Sequence, residues 1–253
     1  MKLFSKLHIY TVALLALLIL SAAAPGPPGK KPTFTPPKFT IDPPDMDKIK
    51  EAVSDPTSRY YYPRLMANYE RNDTVMTLND YRHLYLGMVF QEDYDPYRPS
   101  AFDYKVEEIY YRDNHTREEL DSMISYAEQS LENDPFDLQQ INFLIYALQK
   151  AQKVNRAKIW QYRLNHLLEA ILSTGNGIDP ENAWVVINPR HAYNILNFHN
   201  SIAEKVEFQP PCYDFIRVVP TGDEKQPEGY YFNIKYILEE YYRKHPEQLR
   251  GTE

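Results

Sequence analysis

The chain has 253 residues, enough for one large or two small domains, and its 43% hydrophobic and 25% charged content is that of a globular protein. A formal net charge of -7, with no long Lys/Arg-rich run against it, argues against nucleic acid as a partner. The single Cys, Cys212, excludes an intramolecular disulfide framework, Cys-x-x-Cys redox chemistry and a multi-Cys zinc site.

Residues 1–23 read as an export signal. Lys2 and Lys6 form its positive end, Thr11 to Leu20 a short apolar core, and Ser21-Ala22-Ala23-Ala24 the small residues of a cleavage site. That core is too short for a span of about 20 residues, so no membrane span is expected after cleavage following Ala23. Losing Lys2 and Lys6 takes the net charge from -7 to -9. Residues 24–44 hold eight prolines, from Pro25 to Pro44, and read as an extended, solvated tether.

Residues 45–174 read as helical. Asp45 to Ser54 is a short helix, followed by Tyr60-Tyr61-Tyr62-Pro63 and a second helical run through Leu65 and Tyr69. Thr77 caps the next helix, whose stripe is Leu78, Tyr81, Leu84, Tyr85 and Met88. Tyr94-Asp95-Pro96-Tyr97-Arg98-Pro99 is a stiff loop, because each Pro restricts its own φ and the residue before it. A helix from Ala101 to Arg112 buries Phe102, Val106, Ile109 and Tyr110.

Thr116 to Gly175 carries the clearest helical pattern in the chain. Thr116 with Glu119 is a capping box. Asn133-Asp134-Pro135 then separates two apolar stripes, with Asp134 as the expected cap of the second helix. Asn155 is the expected cap of a third helix, and Gly175 its left-handed terminator.

Residues 175–253 change period. Ala183 to Ile187 is β-branched and reads as a strand, Pro189 to Phe198 as a short helix. Lys205 to Phe208, Tyr213 to Val219 and Gly229 to Ile234 read as three further strands, and Ile234 to Lys244 as a closing helix. The sum is an α+β fold: N-terminal helical hairpins, then a small antiparallel sheet with a C-terminal helix.

Two resemblances follow from these residues. The joint between Glu128 and Ile145 resembles a tetratricopeptide-type hairpin, although no second copy recurs at a fixed offset, so the hairpins are repeat-like only. The order Asp-Met-Asp-Lys-Ile-Lys (45–50), Ser-Arg-Tyr-Tyr-Tyr-Pro-Arg-Leu (58–65), Leu-Asn-Asp-Tyr-Arg-His-Leu-Tyr-Leu-Gly (78–87) and Thr-Gly-Asn-Gly (174–177) with Glu-Asn-Ala-Trp-Val-Val-Ile (181–187) resembles the exported bacterial family known as domain of unknown function 4919. That resemblance implies a periplasmic or cell-envelope setting and brings no activity, cofactor or catalytic residue with it.

No catalytic, metal or cofactor motif is apparent. The seven His include no His-Glu-x-x-His, and there is no Gly-x-Ser-x-Gly. Gly175-Asn176-Gly177 looks like the start of a dinucleotide fingerprint but follows a helix and precedes a strand, the reverse of what that fingerprint needs. It reads as a junction loop able to line a ligand cleft. Tyrosine is the distinctive residue, with eleven of 22 between Tyr60 and Tyr111, and it suits both core rims and interfaces.

The favoured reading is therefore an exported, non-enzymatic binding protein whose ligand sites are Tyr94, Tyr97, Gly175, Asn176, Gly177 and Trp184. An envelope protein or a glycan is the expected partner class, and no motif fixes an oligomeric state. Two other readings stand beside it. One is an envelope hydrolase with two carboxylates roughly 5–9.5 Å apart in a pocket. The other is a glycan-binding module using Tyr94, Tyr97 and Trp184, with at least two of those rings exposed and roughly coplanar.

Overall fold

A computed structural model describes residues 40–100 and 102–248. The expected export signal of residues 1–23 and the tether through residue 39 lie outside the described residues. The described chain divides into two compact units, one of residues 44–171 and one of residues 40–43 with 172–248.

The first unit is helical. Its elements are α1 (Met46–Ser54), α2 (Tyr62–Glu70), α3 (Leu78–Gly87), α4 (Asp103–Tyr110), α5 (Arg117–Asn133), α6 (Leu138–Lys150) and α7 (Val154–Leu172), whose last residue belongs to the second unit. Their starts follow from local chemistry. Thr77 and Asp80 form a reciprocal capping box on α3, as Thr116 and Glu119 do on α5. Asp45 accepts from the Lys48 amide at the start of α1.

Two caps differ from expectation. At the α5–α6 joint the cap is Asp137, whose Oδ1 accepts from the amides of Gln139 and Gln140, each at 3.0 Å. Asp134 serves a turn instead, accepting from Phe136 N. The reason is Phe136. Its ring is buried against Tyr69 and Tyr85, so Pro135-Phe136 must turn inward before α6 can begin. In the same way α7 begins at Val154, leaving Asn155 inside its first turn. There Gln152 turns left-handed (φ 59°) and Lys153 N donates back to Leu148 O, closing α6.

Arg163 on α7 binds the unit together across a long stretch of sequence. Its buried guanidinium lies between Trp160 and Tyr69, 4.4 and 4.6 Å from the ring centroids. One terminal nitrogen donates to the main-chain carbonyls of Tyr69 (2.8 Å) and Glu70 (3.0 Å), the last carbonyls of α2. Tyr69 O also accepts from Asn72 N at 3.0 Å, so Arg163 adds a charged donor at a helix C-terminus, where the dipole favours a cation. Tyr69 in turn donates its hydroxyl to Pro135 O at 2.9 Å, so α2, the α5–α6 joint and α7 meet at one place.

The second unit contains β1 (Trp184–Val185), α8 (Pro189–Phe198), β2 (Ala203–Gln209), β3 (Tyr213–Val218), β4 (Gly229–Asn233) and α9 (Lys235–Lys244). The strands lie in the order β1-β4-β3-β2. β2–β3 and β3–β4 are antiparallel as expected, but β1 runs parallel to β4, so the sheet is mixed and not purely antiparallel. A parallel neighbour requires a crossover, and the chain supplies one by passing through α8, β2 and β3 before β4 returns beside β1. β1 is also shorter than its β-branched sequence suggests. Asn188 caps α8 with Pro189 at its first position, which stops the strand.

Replacing Arg163 with Leu should destabilise the first unit by about 1–3 kcal/mol, because the buried Tyr69 carbonyl and the part-buried Glu70 carbonyl lose a charged donor. Arg163→Lys should recover only part of this, since an ammonium cannot stack flat between two rings. Urea unfolding followed by circular dichroism measures both; equal stability of the Leu variant and the wild type would refute the assignment.

Candidate functional site

The junction loop is built for closure. Asn176 N and Gly177 N both donate to Asn182 O, at 2.9 and 2.8 Å, and Gly177 O accepts from Tyr231 N at 2.7 Å. Trp184 Nε1 donates to Gly175 O at 3.0 Å, Val185 N to Thr174 Oγ1, and Asn176 Oδ1 accepts from Ile178 N. These loop amides face the protein's own carbonyls, so they are not presented to an anion as a phosphate-binding loop would present them.

The glycines are required by space. A Cβ on Gly175 would collide with Asn182 O, and one on Gly177 would lie 2.7 Å from the Trp184 ring. Gly177 has φ 70°, whereas Gly175 is not left-handed, so the expected terminator role is replaced by a close approach of two backbones.

Trp184 is 3% exposed and stacks on Tyr230, with centroids 5.3 Å apart, beside Phe232 at 5.6 Å. In the first unit, Tyr94 is 6% exposed and Tyr97 37%. Of the three rings expected to form an exposed coplanar platform, two are buried, and they lie in different units. That arrangement is ruled out.

The two most exposed of the described rings lie on α4. Tyr104 is 64% exposed and Tyr111, which caps the helix C-terminus, 40%. They are seven residues apart and so share one face, about 10 Å along the axis. Half-buried rings flank them. Phe102 stacks on Tyr126 of α5 (5.7 Å, 15°), and Tyr110 packs against Phe143 and Tyr146 of α6 at 4.5 and 4.8 Å. Lys105 Nζ sits over Phe102, Tyr104 and Tyr126 at 5.4, 5.8 and 5.1 Å, and Lys150 over Tyr146 at 5.5 Å. Burial pushes the hydroxyls of Tyr110, Tyr111 and Tyr146 above the usual range, so they remain neutral donors.

The sequence carried a signal for this face. With Phe102, Val106 and Ile109 turned to the core, Tyr104, Glu108 and Tyr111 fall on the opposite side of the helix.

The titratable groups of the second unit are dispersed. Asp214 on β3 points to the same face as Phe232 and Ile216, and burial raises its pKa from 3.8 to about 6. Tyr193 of α8 is pushed up to about 12, by burial first and then by Asp214. Cys212 is half-buried and burial raises its pKa, which keeps it a thiol at neutral pH. His191 is buried in α8, and the His199 ring lies 5.1 Å from Trp184. Among the described residues no three His, Cys, Asp or Glu side chains come together in a way that could hold a metal ion. Nor is any described helix long and apolar enough to cross a membrane.

These two units define an α+β protein in which repeat-like helices precede a small mixed sheet and a final helix. The chain belongs to the family described as domain of unknown function 4919, which matches residues 47–243 and so takes in elements from α1 to α9. No curated protein and no solved structure matches it.

Asp214 sets a pH dependence. Its folded pKa lies above its unfolded value, so folding favours the protonated acid. The associated stability is full below about pH 4 and is lost as pH rises through about 6. At about 1.4 kcal/mol per unit the full shift is worth about 3 kcal/mol, which solvent around the half-buried side chain reduces to roughly 2. Asp214→Asn should therefore gain about that much on the wild type between pH 4 and pH 7, measured by urea unfolding at each pH. A constant difference between the two proteins across that range would contradict a buried acid.

Proposed function

We propose that this is an exported, non-enzymatic binding protein that holds its partner on the tyrosine face of α4. One observation carries the reading: Tyr104 and Tyr111 stand open on one helix face, two turns apart, with half-buried rings and two lysines around them. Tyr offers a broad ring with few torsions to freeze and a hydroxyl to bond, which makes it a frequent anchor of interfaces. The lysines and the neighbouring Glu108 give a polar rim of both signs. A protein segment of the cell envelope matches that chemistry. Export is supported by the charged, apolar and small-residue order of residues 1–23.

The test is a displayed peptide library and a glycan array, probed with the wild type and with Tyr104→Ser/Tyr111→Ser. Peptides selected by the wild type should bind the double variant at least about tenfold more weakly, with far-UV circular dichroism confirming that the variant is folded. Equal binding by the two proteins would defeat the reading, and selection of glycans alone would move it to a carbohydrate module.

Export predicts a mature N-terminus at Ala24. N-terminal sequencing of protein recovered outside the cytoplasmic fraction checks this, and an intact Met1 in the cytoplasmic fraction would contradict it.

A further inference from the structure

We infer that the outer edge of β2 pairs with the same edge of a second copy of this chain, antiparallel about a two-fold axis through Val206. This joins two four-stranded sheets into one of eight. The inference is separate from the tyrosine face of α4 and stands without it.

The main-chain directions come first. β2 is the last strand in the order β1-β4-β3-β2. Val218 N donates to Glu228 O and Ile234 N to Cys212 O, so the even-numbered residues of β3 bond to β4. The odd-numbered ones therefore bond to β2, in the register Lys205↔Arg217, Glu207↔Phe215 and Gln209↔Tyr213. Val206 and Phe208 are left with their N–H and C=O pointing off the sheet, and among the described residues nothing pairs with them. The usable edge is bounded by the irregularity between Ala203 and Lys205 and by Pro210, which has no N–H to offer.

Charge then selects the occupant and the register. In an antiparallel self-pair, outward-facing residues must meet outward-facing residues, so the two-fold axis passes through a residue position. An axis at Glu204, Lys205 or Glu207 sets a like charge directly against itself, which is destabilising. An axis at Phe208 places Val206 opposite Pro210 and forfeits a hydrogen bond. The axis at Val206 avoids both penalties, with regular pairing confined to Val206 and its neighbours because Phe208 then faces Glu204 at the irregularity. On this axis Val206 exchanges two main-chain hydrogen bonds with its own copy, and Lys205 faces the Glu207 of the second chain, twice by symmetry.

Lysine on an edge strand ordinarily repels further pairing. Here Lys205 meets an opposite charge when the partner is this same strand, so it discriminates against other strands in favour of self-pairing. Glu207 already gathers cations, bonding Lys205 at 3.1 Å and Arg217 at 2.8 Å. Ile202 and Val219 are exposed apolar residues joined by a Val219 N to Ile202 O bond where β2 begins, and they extend the surface available to a partner.

Sedimentation equilibrium on the purified protein tests this. The wild type should dimerise reversibly. Lys205→Glu and Glu207→Lys should each weaken self-association about tenfold or more, because two attractive cross-strand pairs become repulsive. An equimolar mixture of the two variants should recover a 1:1 dimer, since the Glu-bearing edge of one then meets the Lys-bearing edge of the other. Far-UV circular dichroism confirms that each variant is folded, and Val206→Pro, which removes the central outward N–H, should be monomeric. A monomeric wild type at about 100 μM would overturn the inference. So would a dimer indifferent to both charge changes, or variants that fail to complement each other.

Discussion

Arg163 brings a positive charge into the first unit without a carboxylate bonded to it. Two aromatic faces and the terminal carbonyls of α2 receive it instead. Burial lowers the guanidinium pKa, and a group of this kind still stays charged. The arrangement works because carbonyls at a helix end carry partial negative charge and need donors in any case. It also explains the composition nearby. Tyr69 must be aromatic to stack, must carry a hydroxyl to reach Pro135, and must sit at the end of α2 to offer its carbonyl. One side chain thereby fixes the relation of three segments far apart in sequence.

The second unit solves its corresponding problem with close backbones. Gly175 and Gly177 let the junction loop fold tightly against Asn182 and over Trp184, and the amides of Asn176 and Gly177 are bonded to Asn182 O in doing so. Such a loop has little left to offer a ligand. The surfaces proposed for binding instead sit on regular elements, the tyrosine side of α4 and the outer strand of the sheet, where side-chain spacing is set by helix and strand geometry.

Much of this was legible in the sequence wherever the determinant is local. Capping boxes at Thr77 and Thr116, the Asn188-Pro189 start of α8 and the apolar stripes of α5 and α6 each depend on residues within one turn of each other. The errors fall where a distant partner decides. Asp134 lost the cap of α6 to Asp137 because Phe136 had to reach Tyr69 and Tyr85. The direction of β1 depends on which strand it meets, and no residue within β1 encodes that. Tyr94 lies outside the helical stripes and Trp184 in a short strand, and both are buried by partners that no local pattern names. The open rings of Tyr104 and Tyr111 were implicit in the helical phase of α4 and were obscured by the Pro-bounded loop before it.

The two tryptophans fall one to each unit: Trp160 beside the guanidinium of Arg163, Trp184 enclosed by Tyr230 and Phe232. Their surroundings differ, Trp160 being half-buried next to a cation and Trp184 buried with its Nε1 bonded to Gly175 O. Each unit therefore has its own intrinsic fluorophore. Emission spectra recorded along a denaturation curve can separate the melting of the helical portion from that of the sheet portion without any added label.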